Sequence, residues 1–459
     1  MSKNIGRGVL AAAAAGAMAL TLGAPAMAAV DDPDQGINVS VPPEYVSKAE
    51  VLRIADSTRI LTAVEASESR TWGRKLSSNT VTTLKWSCSV DSFWLNDLPV
   101  NFYPGDWELG DVFYPTMDWT GAQVSCEVVV DESTTTWSGK VDIIVAREDD
   151  YPDAISAAPL ADVLNAPILL HPTNLINGEL HPAVQAEIQR LANYYPGNIH
   201  VTVHLLGGTN ALSHGVENKI DVIPGVDRTL RYQGVDRFQT AANIARVTVD
   251  EYGLDSGADG NDVNVYLTTG HDFADALAAG AAAANNDGIV LLTAGEELDR
   301  RGITDQFLMD LETWVNDDRW DINTSEIFAV GGPSTRAAAA FDIRLADSFW
   351  GADRYETAVA AAEGVFDLSP IGRDNFAVVS GHTFADALVA SGFIANLDGP
   401  LLLTNPLSLT DVTADYIEEN VEDGDRVITF GGPDALRVAV TNEIKALLAA
   451  KFAVDPEIL

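Results

Sequence analysis

The stretch that decides the fold reads Ser380-Gly-His-Thr-Phe-Ala-Asp-Ala-Leu388 and is followed by the apolar run Pro400-Leu-Leu-Leu-Thr404. Two further copies keep this order along the chain. They are Thr269-Gly-His-Asp-Phe-Ala-Asp-Ala-Leu277 with Gly288-Ile-Val-Leu-Leu-Thr293, and the fainter Asp149-Asp-Tyr-Pro-Asp-Ala-Ile155 with Pro167-Ile-Leu-Leu170. Such ordered repetition predicts an array of three related structural modules.

Two more phrases frame each copy. The upstream phrase is Asp353-Arg-Tyr-Glu-Thr-Ala358, echoed by Asp236-Arg-Phe-Gln-Thr-Ala241 and by Thr58-Arg-Ile-Leu-Thr-Ala63. The downstream phrase is a Gly-Gly pair at 207–208, 331–332 and 431–432. None of these pairs lies in a phosphate-loop or dinucleotide-binding pattern, so tight turns from strand to helix are expected.

The best copy also predicts the fold of one module. Hydrophobic periodicity favours helices at 353–366, 384–397, 411–420 and 434–450, and strands at 376–380, 401–404 and 426–430. Buried strands that alternate with helices are typical of a parallel sheet covered on both faces. Each copy is therefore expected to be a three-layer α/β module of about 100 residues.

These phrases closely resemble the cell wall binding repeat 2 family of Gram-positive surface proteins, whose members carry three tandem copies. The resemblance covers about 51–452 apart from one insertion. It implies small parallel sheets in a pseudo-threefold arrangement, and non-covalent binding of an anionic wall polysaccharide. The polymer-binding residues that it implies are Arg59, Arg237, Arg354, Pro167, Ile168, Leu169, Leu170, Pro400, Leu401 and Leu402. The first copy departs most, because it lacks the Gly-His pair and has Ile60 in place of the aromatic residue.

The chemistry of the three arginines agrees with an acidic ligand. Each stands at a predicted helix start, where the helix dipole disfavours a cation, so an anionic partner is expected. A guanidinium group can bind a phosphate or carboxylate through two hydrogen bonds. The alternative is an intramolecular ion pair with one of the 67 acidic side chains.

Three aspartates recur at the start of the second predicted helix, namely Asp153, Asp275 and Asp386. Carboxylates there commonly accept hydrogen bonds from free backbone N–H groups, so structural capping is the first interpretation. A catalytic carboxylate is the alternative. Triplication suits multivalent binding better than catalysis, so we predict a protein that is not an enzyme and that uses no cofactor and no metal.

The overall charge limits the class of partner. The chain of 459 residues has a formal net charge of −39, which argues against nucleic acid because binding a polyanion needs a basic face. The histidines His200, His204, His271 and His382 are interpreted as structural or exposed rather than as metal ligands.

A segment at about 70–139 interrupts the first copy. It contains Trp72, Trp86, Trp94, Trp107, Trp119 and Trp137, with alternating Thr/Val/Ser stretches that predict a small β-rich insertion. The tryptophans form either its core or an exposed platform for a glycan or protein partner. The chain's two cysteines, Cys88 and Cys126, both lie here, and we predict a disulfide between them.

The N-terminus has the pattern of an export signal. Lys3 and Arg7 precede an uncharged run at 8–24 that is followed by the small-x-small sequence Ala26-Met-Ala28, which predicts a signal peptide at 1–28. The remaining boundaries are a linker at 29–50, copy one at 51–223, copy two at 224–340 and copy three at 341–459. The chain is thus expected to be secreted to the cell wall or surface, with no membrane span after cleavage. A wall hydrolase (amidase or glycosidase) and an adhesin using the insertion are the alternative functions.

Overall fold

The structure is a computed structural model that describes residues 49–90, 93–99, 112–113, 124–175, 178–195, 197–255, 263–299, 301–314, 326–366 and 374–453. The predicted signal peptide and nearly all of the predicted linker lie outside these residues. No helix in the described ranges is long and apolar enough to cross a membrane.

The described chain alternates strands and helices as the repeats predict. The strands are β1 (Glu50–Ile54), β2 (Arg74–Val90), β3 (Phe93–Pro99), β4 (Val112–Phe113), β5 (Val124–Arg147), β6 (Ile168–His171), β7 (Gly197–Leu206), β8 (Arg228–Tyr232), β9 (Asn264–Thr269), β10 (Gly288–Thr293), β11 (Ile327–Val330), β12 (Asp347–Phe349), β13 (Asn375–Ser380), β14 (Leu401–Thr404) and β15 (Arg426–Phe430). The helices are α1 (Arg59–Glu68), α2 (Ala158–Leu164), α3 (Pro182–Ala192), α4 (His214–Asp221), α5 (Arg237–Asp255), α6 (Ala274–Asn285), α7 (Ile303–Trp314), α8 (Gly332–Ala340), α9 (Arg354–Phe366), α10 (Ala385–Ala395), α11 (Asp411–Asn420) and α12 (Val438–Lys451).

Three small parallel sheets form the centres of three modules. The strand order is β6-β5-β7-β8 in the first module, β10-β9-β11-β12 in the second and β14-β13-β15-β1 in the third. Helices cover these sheets and bury their inner strands, whereas the edge strands β1, β8 and β12 are partly exposed. The predicted α/β class with three modules is therefore confirmed.

Each sheet takes its last edge strand from the sequence that leads into another repeat. Strand β8 precedes α5 of the second module, and β12 precedes α9 of the third. Strand β1 precedes α1 of the first module, yet it pairs with β15, from Glu50 opposite Arg426 to Ile54 opposite Phe430. The N-terminal strand thus completes the last sheet, and the three modules close into a ring.

Three equivalent helices, α2, α6 and α10, pack against one another at the centre of the ring. Small residues let them approach closely, because Ala158, Ala284 and Ala395 form one buried cluster. A Cβ on Gly280 would lie 3.0 Å from that of Ala158 and 3.1 Å from Oγ of Ser391. This close packing around one axis gives the predicted pseudo-threefold arrangement.

The β-rich insertion is continuous with the first module. Strand β5 is 24 residues long; its first part pairs antiparallel with β2, and its last part pairs parallel with β6 and β7. Strands β3 and β4 add to the same sheet. The insertion therefore extends the central strand of the first module and does not form a separate domain.

Two tryptophans of the insertion pack against residues of the modules. Trp72 is buried, donates from Nε1 to the Ser67 carbonyl at 2.7 Å and packs edge-on against Phe393 of the third module. Trp137 packs against Tyr195, with ring centroids 5.1 Å apart. The other four, Trp86, Trp94, Trp107 and Trp119, have side chains outside the described residues.

The two cysteines face each other in the strand register. Cys88 on β2 is directly opposite Cys126 on β5. Opposed residues of an antiparallel pair have Cα atoms about 4.5–5.5 Å apart, a range that a disulfide accepts. The bridge stays a prediction, and mass spectrometry of the alkylated, non-reduced protein will contradict it if both thiols are labelled.

Candidate functional site

Three equivalent loops meet where the strands β5, β9 and β13 end, a side that we call the carboxyl edge. Each loop supplies one aromatic ring, and the rings of Tyr151, Phe273 and Phe384 have centroids 5.7–6.2 Å apart. The near-equal distances place the three rings around the pseudo-threefold axis. The Tyr151 hydroxyl also donates to the His271 carbonyl at 2.9 Å, which joins the first module to the second.

The predicted arginines surround these rings. Arg237 begins α5 and donates from Nη1 to the Gly270 carbonyl of its own module, and its guanidinium lies 5.7 Å from the centre of the Tyr151 ring of the first module. Arg354 repeats this arrangement one module later, donating to Gly381 and lying 5.5 Å from the Phe273 ring centre. We call the three aromatic residues, together with Arg59, Arg237 and Arg354, the axial cluster.

The three arginines differ in their acidic neighbours. Arg354 also pairs with Asp272 at 3.1 Å. Arg59 donates to the Glu148 carbonyl at 2.9 Å, and the Glu148 carboxylate lies 3.9 Å from its Nε. Within the described part of the chain, Arg237 has no carboxylate in ion-pair range. The intramolecular ion pair raised as an alternative thus applies to Arg354 and Arg59 but not to Arg237.

The three aspartates that were predicted as helix caps each face a glycine in the structure, and their capping role stays a prediction. Asp275 and Asp386 lie in the first turns of α6 and α10, whose N-cap residues Phe273 and Phe384 make no side-chain cap hydrogen bond. Asp153 precedes α2, which also lacks one. The N–H of Ala274 instead meets Asp272 Oδ1 at 3.2 Å. The three carboxylates turn away from the helix ends toward a glycine.

Each of these carboxylates lies against the first glycine of the Gly-Gly pair in its own module. A Cβ on Gly207, Gly331 or Gly431 would lie 2.6, 2.2 or 3.1 Å from the carboxylate of Asp153, Asp275 or Asp386, respectively. These glycines have φ between 93° and 115°, a region that side chains rarely adopt. The stretch that contains the aspartate and the downstream Gly-Gly pair therefore meet in space. The first glycine of the pair is required both by its backbone conformation and by the carboxylate next to it.

Burial raises the pKa of two of these carboxyl groups. The pKa of Asp386 rises to about 6 because the group is desolvated, although the charges of Arg59 and Arg53 oppose the rise. Desolvation likewise raises the pKa of Asp275 to about 6, with Asp272 adding to the effect and Arg354 opposing it. Asp386 Oδ1 is buried without a hydrogen-bond partner in the described structure.

The apolar segments predicted to contact the polymer are interior strands. Their residues Pro167, Ile168, Leu169, Leu170, Pro400, Leu401 and Leu402 are all buried. They form or precede the edge strands β6 and β14, against which the central helices α10 and α6 of neighbouring modules pack. These side chains therefore contact the interior of the protein and not its surface, where a polymer would bind.

Two arginines that the sequence analysis missed support the same loops. Arg53 on β1 donates to the Gly431 carbonyl at 2.9 Å, and Arg231 on β8 donates to the Gly207 carbonyl at 2.9 Å. Each precedes the arginine of the upstream phrase by six residues. That spacing was the available signal, but it recurs in only two of the three repeats.

The histidines have structural or exposed positions. His271 is exposed, and His382 lies 3.1 Å from the Tyr355 hydroxyl. His204 is buried between Asp142 at 2.9 Å and the Tyr232 hydroxyl at 2.8 Å, and His200 is largely exposed. Among the described residues, no group of three or more His, Cys, Asp or Glu side chains is arranged to hold a metal ion.

Comparison with known proteins identifies the repeats. The family model for "Cell wall binding domain 2" matches residues 53–217, 231–338 and 349–441, which is most of the chain. The chain belongs to the cell wall binding domain 2 family. Its three matched segments correspond to the three sequence repeats, and membership in this family indicates association with the cell wall and a location at the wall or cell surface.

Two relatives from Bacillus subtilis (strain 168) share parts of this sequence. The chain is 28% identical to an "Amidase enhancer" over 166 residues, 36% of this chain and 20% of that protein. It is 24% identical to "N-acetylmuramoyl-L-alanine amidase LytC" over 340 residues, 73% of this chain and 58% of that protein. The chain thus spans less than two thirds of either relative.

Two solved structures from Clostridium difficile share the fold of this cell wall binding domain 2 protein. Cwp6 matches with a TM-score of 0.58 and 20% identity, covering 90% of this chain and 50% of that one. Cwp8 matches with a TM-score of 0.56 and 20% identity, covering 88% and 51%. The ring of three α/β modules is therefore shared with proteins of very different sequence.

Proposed function

We propose that this protein attaches non-covalently to the cell wall by binding an anionic wall polysaccharide at the axial cluster. The observation that carries the proposal is Arg237, whose Nη1 and aromatic contact hold the guanidinium in place while no described carboxylate neutralises it. Arg354 is the second polymer-binding residue that we propose, and Arg59 is a weaker third. Held in this way, a guanidinium loses little side-chain entropy when it binds an anion.

The charge of the whole chain makes this local arrangement necessary. With a formal net charge of −39, the protein repels polyanions at long range. Attraction must therefore come from a few cations that are partly shielded from water, where a charge-assisted hydrogen bond is strong. The aromatic rings at the axis supply that shielding.

The remaining expectations belong to the same proposal. The protein is secreted with removal of residues 1–28 and attaches to a Gram-positive wall. It binds no nucleic acid and performs no catalysis itself. The named amidase and amidase enhancer suggest that its wall environment includes amide hydrolysis by other proteins. The insertion at 70–139 is proposed to contact a glycan or protein partner. The boundaries of the sequence repeats remain a prediction, and each sheet also takes a strand from beyond its predicted repeat.

The test is retention on purified Gram-positive cell walls, before and after their acidic polymers are removed. The double variant Arg237→Ala/Arg354→Ala should lose retention on intact walls, and the parent should lose it on stripped walls. The matched control Arg344→Ala/Arg426→Ala removes two exposed charges at the opposite ends of the strands and should bind like the parent. A folded double arginine variant that still sediments with intact walls would overturn the proposal.

A further inference from the structure

A cavity of about 540 Å³ opens at the carboxyl edge of the second module, beside the axial cluster. Its walls come from the first turn of α5 and from the loops that precede α5, follow β9 and follow β10. They include Asp236, Phe238, His271, Glu296, Glu297 and Arg301. The volume lies within the range of about 300–1,000 Å³ that is typical of small-molecule sites.

One wall of the cavity is an aromatic residue packed on a histidine. The rings of Phe238 and His271 are edge-to-face, with centroids 6.4 Å apart. The third module repeats the pair, with Tyr355 bonded through its hydroxyl to His382 at 3.1 Å. The first module has the buried Ile60 at the position of Phe238 and no histidine in its loop. The aromatic–histidine pair therefore occurs in the two modules whose arginine, Arg237 or Arg354, donates to a glycine carbonyl.

The polar groups of the rim are held by one another. Arg301 pairs with Asp236 at 3.2 Å, and Arg336 pairs with Glu296 at 2.8 Å. Asp299 accepts from the backbone amides of Arg301, Ile303 and Thr304. Donors and acceptors thus stand side by side around a half-buried aromatic ring, which is the combination that binds the hydroxyl groups and the apolar face of a sugar.

We propose that this cavity is a saccharide subsite that binds a sugar ring of the wall polymer next to the anionic group bound by Arg237. The sugar ring packs against the Phe238 side chain. Its hydroxyl groups form hydrogen bonds with His271, Glu297 and the Asp236–Arg301 pair. The Arg237 and Phe238 side chains both lie against Gly270, whose Cβ would be 3.1 Å from Arg237 Cδ and 3.3 Å from Phe238 Cε1, so one polymer segment reaches both residues. This inference rests on the proposed function and adds the class of group that neighbours the charge.

The test compares two polyanions, a glycosylated wall teichoic acid and inorganic polyphosphate of similar length. Both carry phosphate, but only the first carries sugar. Phe238→Ala should weaken binding of the teichoic acid by about tenfold, which corresponds to about 1.4 kcal/mol, and leave polyphosphate binding within about twofold. Phe341→Ala is the matched control, since Phe341 is an exposed aromatic at the other end of the same module, after α8.

Two more variants keep the test decisive. Phe238→Leu retains apolar volume without a ring, so it should melt like the parent and bind teichoic acid as weakly as Phe238→Ala. Phe238→Tyr, which copies the third module, should bind like the parent. Equal losses for both polyanions, or none for either, would overturn the subsite. Failure of the proposed function has a different signature, namely unchanged binding of both polyanions by Arg237→Ala/Arg354→Ala.

Discussion

Arg59 in the first module and Arg237 in the second donate hydrogen bonds to carbonyls at equivalent positions of their loops, those of Glu148 and Gly270. Their surroundings differ. In the first module the residue that supplies the carbonyl also brings a carboxylate to 3.9 Å from the guanidinium, whereas glycine brings none. The arginine is thus held in the same way in these two modules, while the side chain at the carbonyl position decides whether a carboxylate of the same loop lies beside it.

The largest expected effect concerns the shared scaffold. Gly331→Ala should destabilise the protein by about 2–4 kcal/mol, because alanine disfavours a φ of 93° and its Cβ would lie 2.2 Å from Asp275. The equivalent Gly207→Ala should cost a similar amount, because Gly207 has a φ of 98° and its Cβ would lie 2.6 Å from Asp153. Gly208→Ala, whose Cβ would meet only Gln233 Oε1 at 3.5 Å, is the control. Thermal and urea unfolding measure all three, and a neutral Gly331→Ala would contradict the scaffold assignment.

The second effect is a pH dependence of stability. Because burial raises the pKa of Asp386 to about 6 from an ordinary value of 3.8, the folded chain binds more protons than the unfolded chain between these values. The contribution of this group to stability is therefore greatest below about pH 4 and falls as the pH rises to about 6, by about 2–3 kcal/mol.

Asp386→Asn removes this titration. The variant should gain stability relative to the parent between pH 4 and pH 7, as measured by urea unfolding at each pH. Asp153→Asn in the first module provides the comparison. A constant difference between Asp386→Asn and the parent across this range would show that the buried carboxyl does not titrate there.

The third effect ranks the arginines. Arg237→Ala should weaken binding of an acidic wall polymer by about 10- to 100-fold, as expected for a hydrogen bond to a charged group worth about 1.5–3 kcal/mol. Arg59→Ala should change the affinity by less than about threefold, because its side chain is half exposed and faces Glu148. Calorimetry at fixed salt gives both values. Equal losses would mean that the first module binds as well as the second.

The smallest expected effect is that of a substitution that makes the first module resemble the second. Glu148→Gly removes the carboxylate and keeps the carbonyl that Arg59 uses, so polymer affinity should rise by about two- to fivefold. On this background Arg59→Ala should become costly, which it is not in the parent. The double-mutant cycle measures this coupling, and additive effects would show that Glu148 does not limit the first module.

The sequence by itself determined the modular plan. The ordered phrases set the number of modules, and the alternation of apolar runs with helical periodicity set their α/β class, because each pattern records the burial of its own segment. The three arginines of the axial cluster were also singled out by their repetition, whereas its aromatic residues occurred in the repeated phrases without being assigned to a site. The β-rich character of the insertion followed from its alternating stretches.

The tertiary structure alone decided which distant segments meet. Parallel pairing needs no local turn, so nothing near Glu50 indicates that β1 completes the sheet of β15. The same reason hid the close approach of Asp275 to Gly331. An apolar run at a strand also does not reveal what covers it. Leu169 and Leu402 are buried because helices of neighbouring modules pack on their strands, and only the closed ring supplies those helices.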